Sequence, residues 1–299
     1  MIVRLYPPYS HRLSIRGASA YSVLGKVENG IYRRLFRAGA GAALIEFHDI
    51  GTPDDPAVRV DVAAHQGAVD DGVLWSDVLH VLNPARDHRP FLAYASDHPP
   101  LDQVIAPLIG LHSFRFERLF DALMVTLIEQ QISLRAAQLA ERFLCQWGGD
   151  TLDYGGHSYY TFPSVERIAS ATVEDLTPTK ITFIRMRRLI DVARRVVAGE
   201  IDLEALRDAP NTVRYPQLVG LHGVGHWTAA WATIRAAGEY LYIGRADVAL
   251  RTAVNRYFFG KTGRIDVDTM DQLYAGYAEY GAIAAYYTIM RYALDLETL

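Results

Sequence analysis

One segment constrains this chain more than any other: Leu218-Val219-Gly220-Leu221-His222-Gly223-Val224-Gly225-His226-Trp227-Thr228-Ala229-Ala230. Apolar residues lead into it, and a helix-prone run extends from Trp227 to Ala237. Two glycines flanking a single valine predict a tight turn between two helices. Glycine there permits positive φ and the close approach of another backbone. The second helix begins with N–H groups that it cannot satisfy itself, and such a helix start suits a phosphate. On Gly223, Val224 and Gly225 alone, a plain corner between helices is the simpler reading. A hairpin that grips a nucleic-acid backbone without reading sequence is the other.

The rest of the chain supplies the setting. At 299 residues it is long enough for two domains, each with its own core. Short β-prone runs at Ala43-Leu44-Ile45-Glu46-Phe47 and Val58-Arg59-Val60-Asp61-Val62 flank the turn cluster Gly51-Thr52-Pro53-Asp54-Asp55-Pro56. They predict an α+β unit with an antiparallel sheet over residues 1–95. The stretch Asn83 to Pro90 marks the boundary region, and from Leu101 onward the pattern is helical. Residues 96–299 therefore read as an all-α unit of two helical subdomains, without internal repeats or low-complexity tracts. Phe120, Leu123, Met124, Leu127 and Ile128 form one buried stripe. Glu129-Gln130-Gln131-Ile132-Ser133 interrupts it, with Ser133 as N-cap of the next helix. An arginine-dense helix spans Thr182 to Val197.

Composition narrows the function classes. Hydrophobic residues at 50% and charged residues at 21% describe a globular protein rather than a disordered one. The single cysteine, Cys145, excludes an internal disulfide and a four-cysteine zinc or iron–sulfur site within this chain, and it reads as a buried thiol. The start of the chain lacks the pattern of an export signal, and no apolar run approaches about 18 residues. These observations predict no membrane contact and a cytoplasmic location, nucleoid-associated or nuclear. The net charge of −4 argues against nucleic acid on average. Yet residues 176–265 hold fourteen basic residues against seven acidic ones, a positive region on an acidic chain. It fits a phosphate-facing surface or a set of solvated helix faces equally well.

The segment around Gly223, together with the residues downstream of it, resembles the helix-hairpin-helix DNA glycosylase superfamily. Leu221, Gly223, Val224, Gly225, Trp227, Thr228 and Ala229 fit the family pattern. Its aspartate corresponds to Asp247, 24 residues beyond Gly223, in Gly244-Arg245-Ala246-Asp247-Val248-Ala249-Leu250. Asp247 also has the side chain of a helix N-cap. Phe120 to Ser133, Arg187 to Leu203, Ala284-Ala285-Tyr286-Tyr287 and the opening Tyr6-Pro7-Pro8-Tyr9 extend the likeness to the branch of 3-methyladenine DNA glycosylase II. Relatives that also nick DNA carry a lysine where this chain has Trp227. His222 and His226 depart from the pattern and make no metal-ligand set.

The resemblance implies excision of alkylated purines such as 3-methyladenine from double-stranded DNA, by hydrolysis and without lyase activity. Asp247 then stabilises the positive charge that builds on the sugar as the base leaves. The base must first flip out of the stack. Gln131 holds the position of the side chain that fills the gap, and Gly223, Val224, Gly225, His226 and Thr228 meet the DNA. An electron-poor alkylated purine suits aromatic walls, here Trp227 and Trp231, with Tyr286 and Tyr287 as further candidates; for Trp231, Tyr286 and Tyr287 core packing is the favoured reading. No cofactor is required. The backbone carbonyls of Val219, Leu221 and Val224 correspond to a site for Na+ or K+. The enzyme is expected to act as a monomer. Two rivals stay open: a glycosylase for oxidised or deaminated purines, and a DNA-binding scaffold without catalysis.

Overall fold

The computed structural model describes residues 1–296. Its first unit is an antiparallel sheet in the order β1-β5-β4-β3-β2. The strands are β1 (Ile2–Arg4), β2 (Gly25–Glu28), β3 (Ile31–Ala38), β4 (Gly41–Asp49) and β5 (Ala57–Gln66). The two β-prone runs lie inside β4 and β5, and the turn cluster between them forms their connection. One face of the sheet packs Tyr32, Phe36, Phe47, Val58 and Val60 against helices α1 (His11–Tyr21) and α2 (Asp71–Leu82).

The other face is covered by a piece of the later chain. Strands β6 (Thr151–Tyr154) and β7 (His157–Tyr160) pair antiparallel, and their Leu152 and Tyr159 pack on Leu35, Ala42 and Leu44. Arg37 of β3 reaches Asp150 at 2.6 Å and Thr161 Oγ1 at 2.9 Å. This hairpin corrects the reading of residues 96–299 as wholly helical. Its signal was Gly155-Gly156 between two short aromatic-bearing runs. Both glycines have positive φ, +60° and +81°, as a two-residue hairpin turn demands.

The helices form two bodies. In the first, α5 (Leu119–Glu129) is buried from Leu119 to Ile128. Around it lie α6 (Leu134–Gly148), α7 (Val165–Ala169), α8 (Val173–Leu176), α9 (Phe183–Val197), α10 (Leu203–Asp208) and α11 (Asn211–Val219). The second body contains α3 (Arg89–Ser96), α4 (Leu101–Ile105), α13 (Val248–Phe259), α14 (Val267–Ala275) and α15 (Gly281–Leu296). Helix α12 (His226–Ala237) belongs to both. Ala229, Ala232 and Ala236 face the first core, while Ala230, Trp231 and Ile234 face the second. Alanine lets the backbones approach closely on one side, and the larger residues fill the other.

Local sequence sets the helix ends. Ser133, Thr182 and Asp247 are N-caps, each accepting from a backbone N–H three residues on. The expected division at residue 95 falls in the last turn of α3, and Ala20 and Phe91 share a core with α15. Among the described residues no helix is long and apolar enough to cross a membrane.

Buried His88 and His112 and half-buried His80 hydrogen-bond only to neutral groups and have arginines nearby that add to the effect of burial. Burial pushes His80 and His112 down to about 4 and His88 down to about 3. In the unfolded chain they titrate at about 6.5. Between those values the unfolded chain binds more protons, so their contribution is present above about pH 6.5 and is lost as pH falls. Glu141, pushed up to about 7 by burial, acts in the opposite direction. A single-site comparison isolates one group. His88→Gln should lose less stability than wild type between pH 6.5 and 4 in urea unfolding. Equal losses would remove His88 from the account.

Candidate active site

Asp247 sits at the N-terminus of α13 and is only 6% exposed. Its Oδ1 accepts the Leu250 N–H at 2.8 Å. Its Oδ2 accepts two indole N–H groups, from Trp227 at 2.9 Å and Trp231 at 3.4 Å. The two tryptophans are spaced i, i+4 on α12 and present their N–H edges to the same oxygen. All three partners are donors, so both carboxylate oxygens act as acceptors. The tryptophans are therefore partners of the carboxylate as well as candidate aromatic walls, a role that sequence reasoning missed. Spacing places both indoles on one helix face but does not say which edge they turn inward.

A cavity of about 50 Å3 lies beside Trp231 and is lined by Gly17, Tyr21, Trp231, Arg235, Tyr286 and Met290, among others. That volume suits a water or two rather than a purine, so a base entering here requires side chains to move. Tyr286 meets Trp231 edge to face at 6.1 Å, and its hydroxyl lies 2.5 Å from Ser113 Oγ. Tyr287 does not line the cavity: it is 1% exposed, and its hydroxyl meets His88 Nδ1 and the Leu111 carbonyl. It belongs to the core because its own helix turns it towards α3, away from Trp231. The guanidinium of Arg235 lies 5.0 Å from the Trp231 ring centre and is paired with Glu129 at 2.6 and 2.9 Å. One π-face of Trp231 is thus already occupied by a cation.

The glycine hairpin joins α11 to α12. Gly223 has φ +85°, and a Cβ there would collide with the side chain of Arg188 from α9. Gly225 differs: its φ is −92° and its Cβ would meet open space. No side chain caps α12, and the N–H groups of Gly225, His226, Trp227 and Thr228 have no acceptor among the described residues. Free donors of this kind at a helix start suit an anion. Val224 turns its side chain into the first core, so only its backbone is available to a ligand. Thr228 is also directed inward, since its Oγ1 accepts from Gln130 Nε2 at 2.9 Å. The imidazole of His226 is engaged within the protein, at 2.8 Å from Tyr215 Oη and 2.6 Å from the Tyr242 carbonyl.

Gln131 is exposed at the turn between α5 and α6, with φ +56°, a conformation unfavourable for a residue with a Cβ. Its neighbour Gln130 points the other way and also donates to the Gly223 carbonyl at 3.0 Å. Gln130 therefore ties the turn bearing Gln131 to the glycine hairpin. The only sequence signal for it was the break in the apolar stripe.

The basic region is smaller than the sequence count. Arg214 donates to the Leu206 and Arg207 carbonyls, Arg235 pairs with Glu129, and Arg245 pairs with Asp268 and Asp271. Lys180, Arg187, Arg256, Lys261 and Arg264 are exposed without an ion-pair partner among the described residues. No group of three or more His, Cys, Asp or Glu among the described residues could hold a metal ion.

The two glycines should respond differently to substitution. Gly223→Ala should cost at least about 1.5 kcal/mol in urea unfolding, from the positive φ and the collision with Arg188. Gly225→Ala should cost less than about 1 kcal/mol, the scale of a poorer N-cap. Equal costs would show that φ does not set the requirement at Gly223.

No protein-family model matches the chain. The DNA-3-methyladenine glycosylase of Bacillus subtilis is 31% identical over 149 residues, which cover 50% of this chain and 49% of that protein. The chain thus aligns with about half the length of this curated relative. Among solved structures, the 3-methyladenine DNA glycosylase from Archaeoglobus fulgidus superposes with a TM-score of 0.81 at 18% identity, covering 99% of this chain and 98% of that one. The Clostridium acetobutylicum 8-oxoguanine glycosylase/lyase, solved with double-stranded DNA, gives 0.73 at 17% identity, covering 100% and 98%. Over half of its length the chain is thus similar to a DNA-3-methyladenine glycosylase, and over its whole length it shares the fold of these two solved DNA glycosylases.

Proposed function

We propose that this chain is a monofunctional DNA glycosylase that hydrolyses the N-glycosidic bond of flipped alkylated purines, 3-methyladenine among them. The observation that carries the proposal is the position of Asp247. It is a buried carboxylate with three N–H donors, one helix away from a hairpin where the N–H groups of Gly225 to Thr228 are free among the described residues.

Double-stranded DNA binds through its phosphates at the start of α12, with Gln131 entering the gap left by the flipped base. As the bond from C1′ to the base breaks, the base takes the electron pair and positive charge grows on the sugar. Asp247 stabilises that charge and accepts a proton from the attacking water. A cationic alkylated base leaves as a neutral one and needs little acid help. With Arg235 over one face of Trp231, the half-buried Trp227 is the indole that supplies a free face to such a base. Trp227 also stands where lyase relatives carry lysine, and no lysine lines the cavity. The same Arg235 favours a second reading, in which neutral oxidised or deaminated purines are the better substrates.

The hairpin carbonyls fit a monovalent cation. Those of Val219 and Val224 accept no backbone hydrogen bond among the described residues, and that of Leu221 accepts only the Val224 N–H at 3.0 Å. Bound there, Na+ or K+ would brace the turn against a phosphate. The protein is expected to act as a monomer.

Duplexes carrying one defined lesion test the proposal. Wild type should release 3-methyladenine or 7-methylguanine faster than hypoxanthine or 8-oxoguanine and leave the abasic strand intact. Release of 8-oxoguanine alone would select the second reading. Asp247→Asn should abolish release while keeping affinity for an abasic-site analogue within about threefold. Trp227→Phe removes one charged hydrogen bond of about 1.5–3 kcal/mol, so single-turnover release should fall roughly tenfold or more. Trp231→Phe should cost less, because its contact is longer. Unchanged release in Trp227→Phe would mean that the indole N–H does not act on Asp247.

A further inference from the structure

We propose that His226 is a positioning residue, one that holds the loop carrying Asp247 in register with the phosphate-gripping end of α12. This inference rests on the glycosylase reading and extends it to a side chain without contact to the reacting atoms.

Residues 239–246, which lead from α12 to Asp247, have no helix or strand. Such a segment keeps one shape only if side chains pin it from outside. Tyr240 Oη meets His88, Tyr242 Oη donates to Asp271 at 2.7 Å, and Arg245 pairs with Asp271. Glu239 pairs with Arg214 at 3.1 Å. On the side facing the start of α12, the pin is His226. Its Nε2 lies 2.6 Å from the Tyr242 carbonyl. A carbonyl only accepts, so Nε2 carries the proton. Nδ1 is then the acceptor, and Tyr215 Oη of α11 donates to it at 2.8 Å. The ring also packs on Gly244, where a Cβ would stand 3.5 Å from it. Gly244 has φ +70°, and its carbonyl accepts the Asp247 N–H at 3.2 Å, closing the turn that starts α13.

The chain of contacts is short. Tyr215 fixes the ring, the ring fixes Tyr242 and Gly244, and Gly244 fixes Asp247. His226 is also the first residue of α12, and its N–H is one of the free donors at the hairpin. A phosphate docked there lies against the residue that holds the catalytic loop. Backbone grip and carboxylate placement therefore share one side chain. A displacement of about 1 Å at a reacting group costs on the order of a hundredfold in rate.

Three single variants and one double variant test this. His226→Ala should slow single-turnover base release by ~10- to 100-fold, leaving affinity for an abasic-site analogue within about threefold. His226→Gln offers one donor and one acceptor and should restore most of the rate. Tyr215→Phe should give a smaller loss, and combined with His226→Ala it should add nothing further, as for two members of one network. Independently of activity, amide hydrogen exchange over residues 239–247 should quicken in His226→Ala and return in His226→Gln. That readout separates failure of this inference from failure of the glycosylase reading. Unchanged exchange, or a loss of affinity at unchanged rate, would overturn the proposal and make His226 a plain DNA contact. An equal fall in rate, affinity and thermal midpoint in both His226 variants would overturn it too.

Discussion

The double burial of α12 is the constraint on which the rest of the structure depends. From Thr228 to Ala236 the helix has no exposed side, since one core packs on Ala229, Ala232 and Ala236 and the other on Ala230, Trp231 and Ile234. A helix enclosed on both sides has no freedom to rotate or slide without overpacking one core and opening a void in the other. Its N-terminus is therefore fixed in place, and that end carries the glycine hairpin and Trp227. Fixing α12 also fixes the direction of both indole N–H groups, and so the point where Asp247 is received.

A buried carboxylate is costly unless its oxygens are satisfied. Asp247 meets that requirement in two ways. Its own helix supplies one N–H, which comes with the N-cap position, and α12 supplies two more through side chains 16 and 20 residues away in sequence. The group is thus satisfied by both elements of the second body that meet at the site. Arg235 and Glu129 form a comparable link between α12 and α5 beneath Trp231. Gln130 completes the frame by joining the turn after α5 to the hairpin. The three parts of the proposed mechanism are a backbone grip, a gap-filling turn and a charge-stabilising carboxylate. The elements proposed for them are braced against one another through α12 rather than carried on independent loops.

The early sheet takes part in this frame. The β6–β7 hairpin covers one of its faces, and α1 from its other side packs on α15 and lines the cavity beside Trp231. The first ~95 residues and the helical remainder therefore share cores. That is why a boundary drawn from composition falls within α3, a helix whose Phe91 packs against Tyr287.

What the sequence determined by itself was local in origin. Ser133, Thr182 and Asp247 cap helices because a side-chain oxygen reaches an N–H three residues on, whatever lies around it. Gly223 sits at positive φ because the turn needs it, and Gly155-Gly156 turns a hairpin by the same rule, although the strands beside it are only four residues each. The spacing of Gly223, Trp227 and Asp247 pointed to the site through resemblance. Tertiary structure alone decided the rest. It turned the indole edges of Trp227 and Trp231 to Asp247 and directed Thr228 to Gln130. It placed Tyr287 in the core and tied the exposed His226 to Tyr215 and Tyr242. It also gave many of the arginines in residues 176–265 partners within the fold. Each of these outcomes depends on which neighbour a side chain meets when two cores close on α12. Spacing along one helix names the face that a residue occupies, but the partner on that face is set only by the packing.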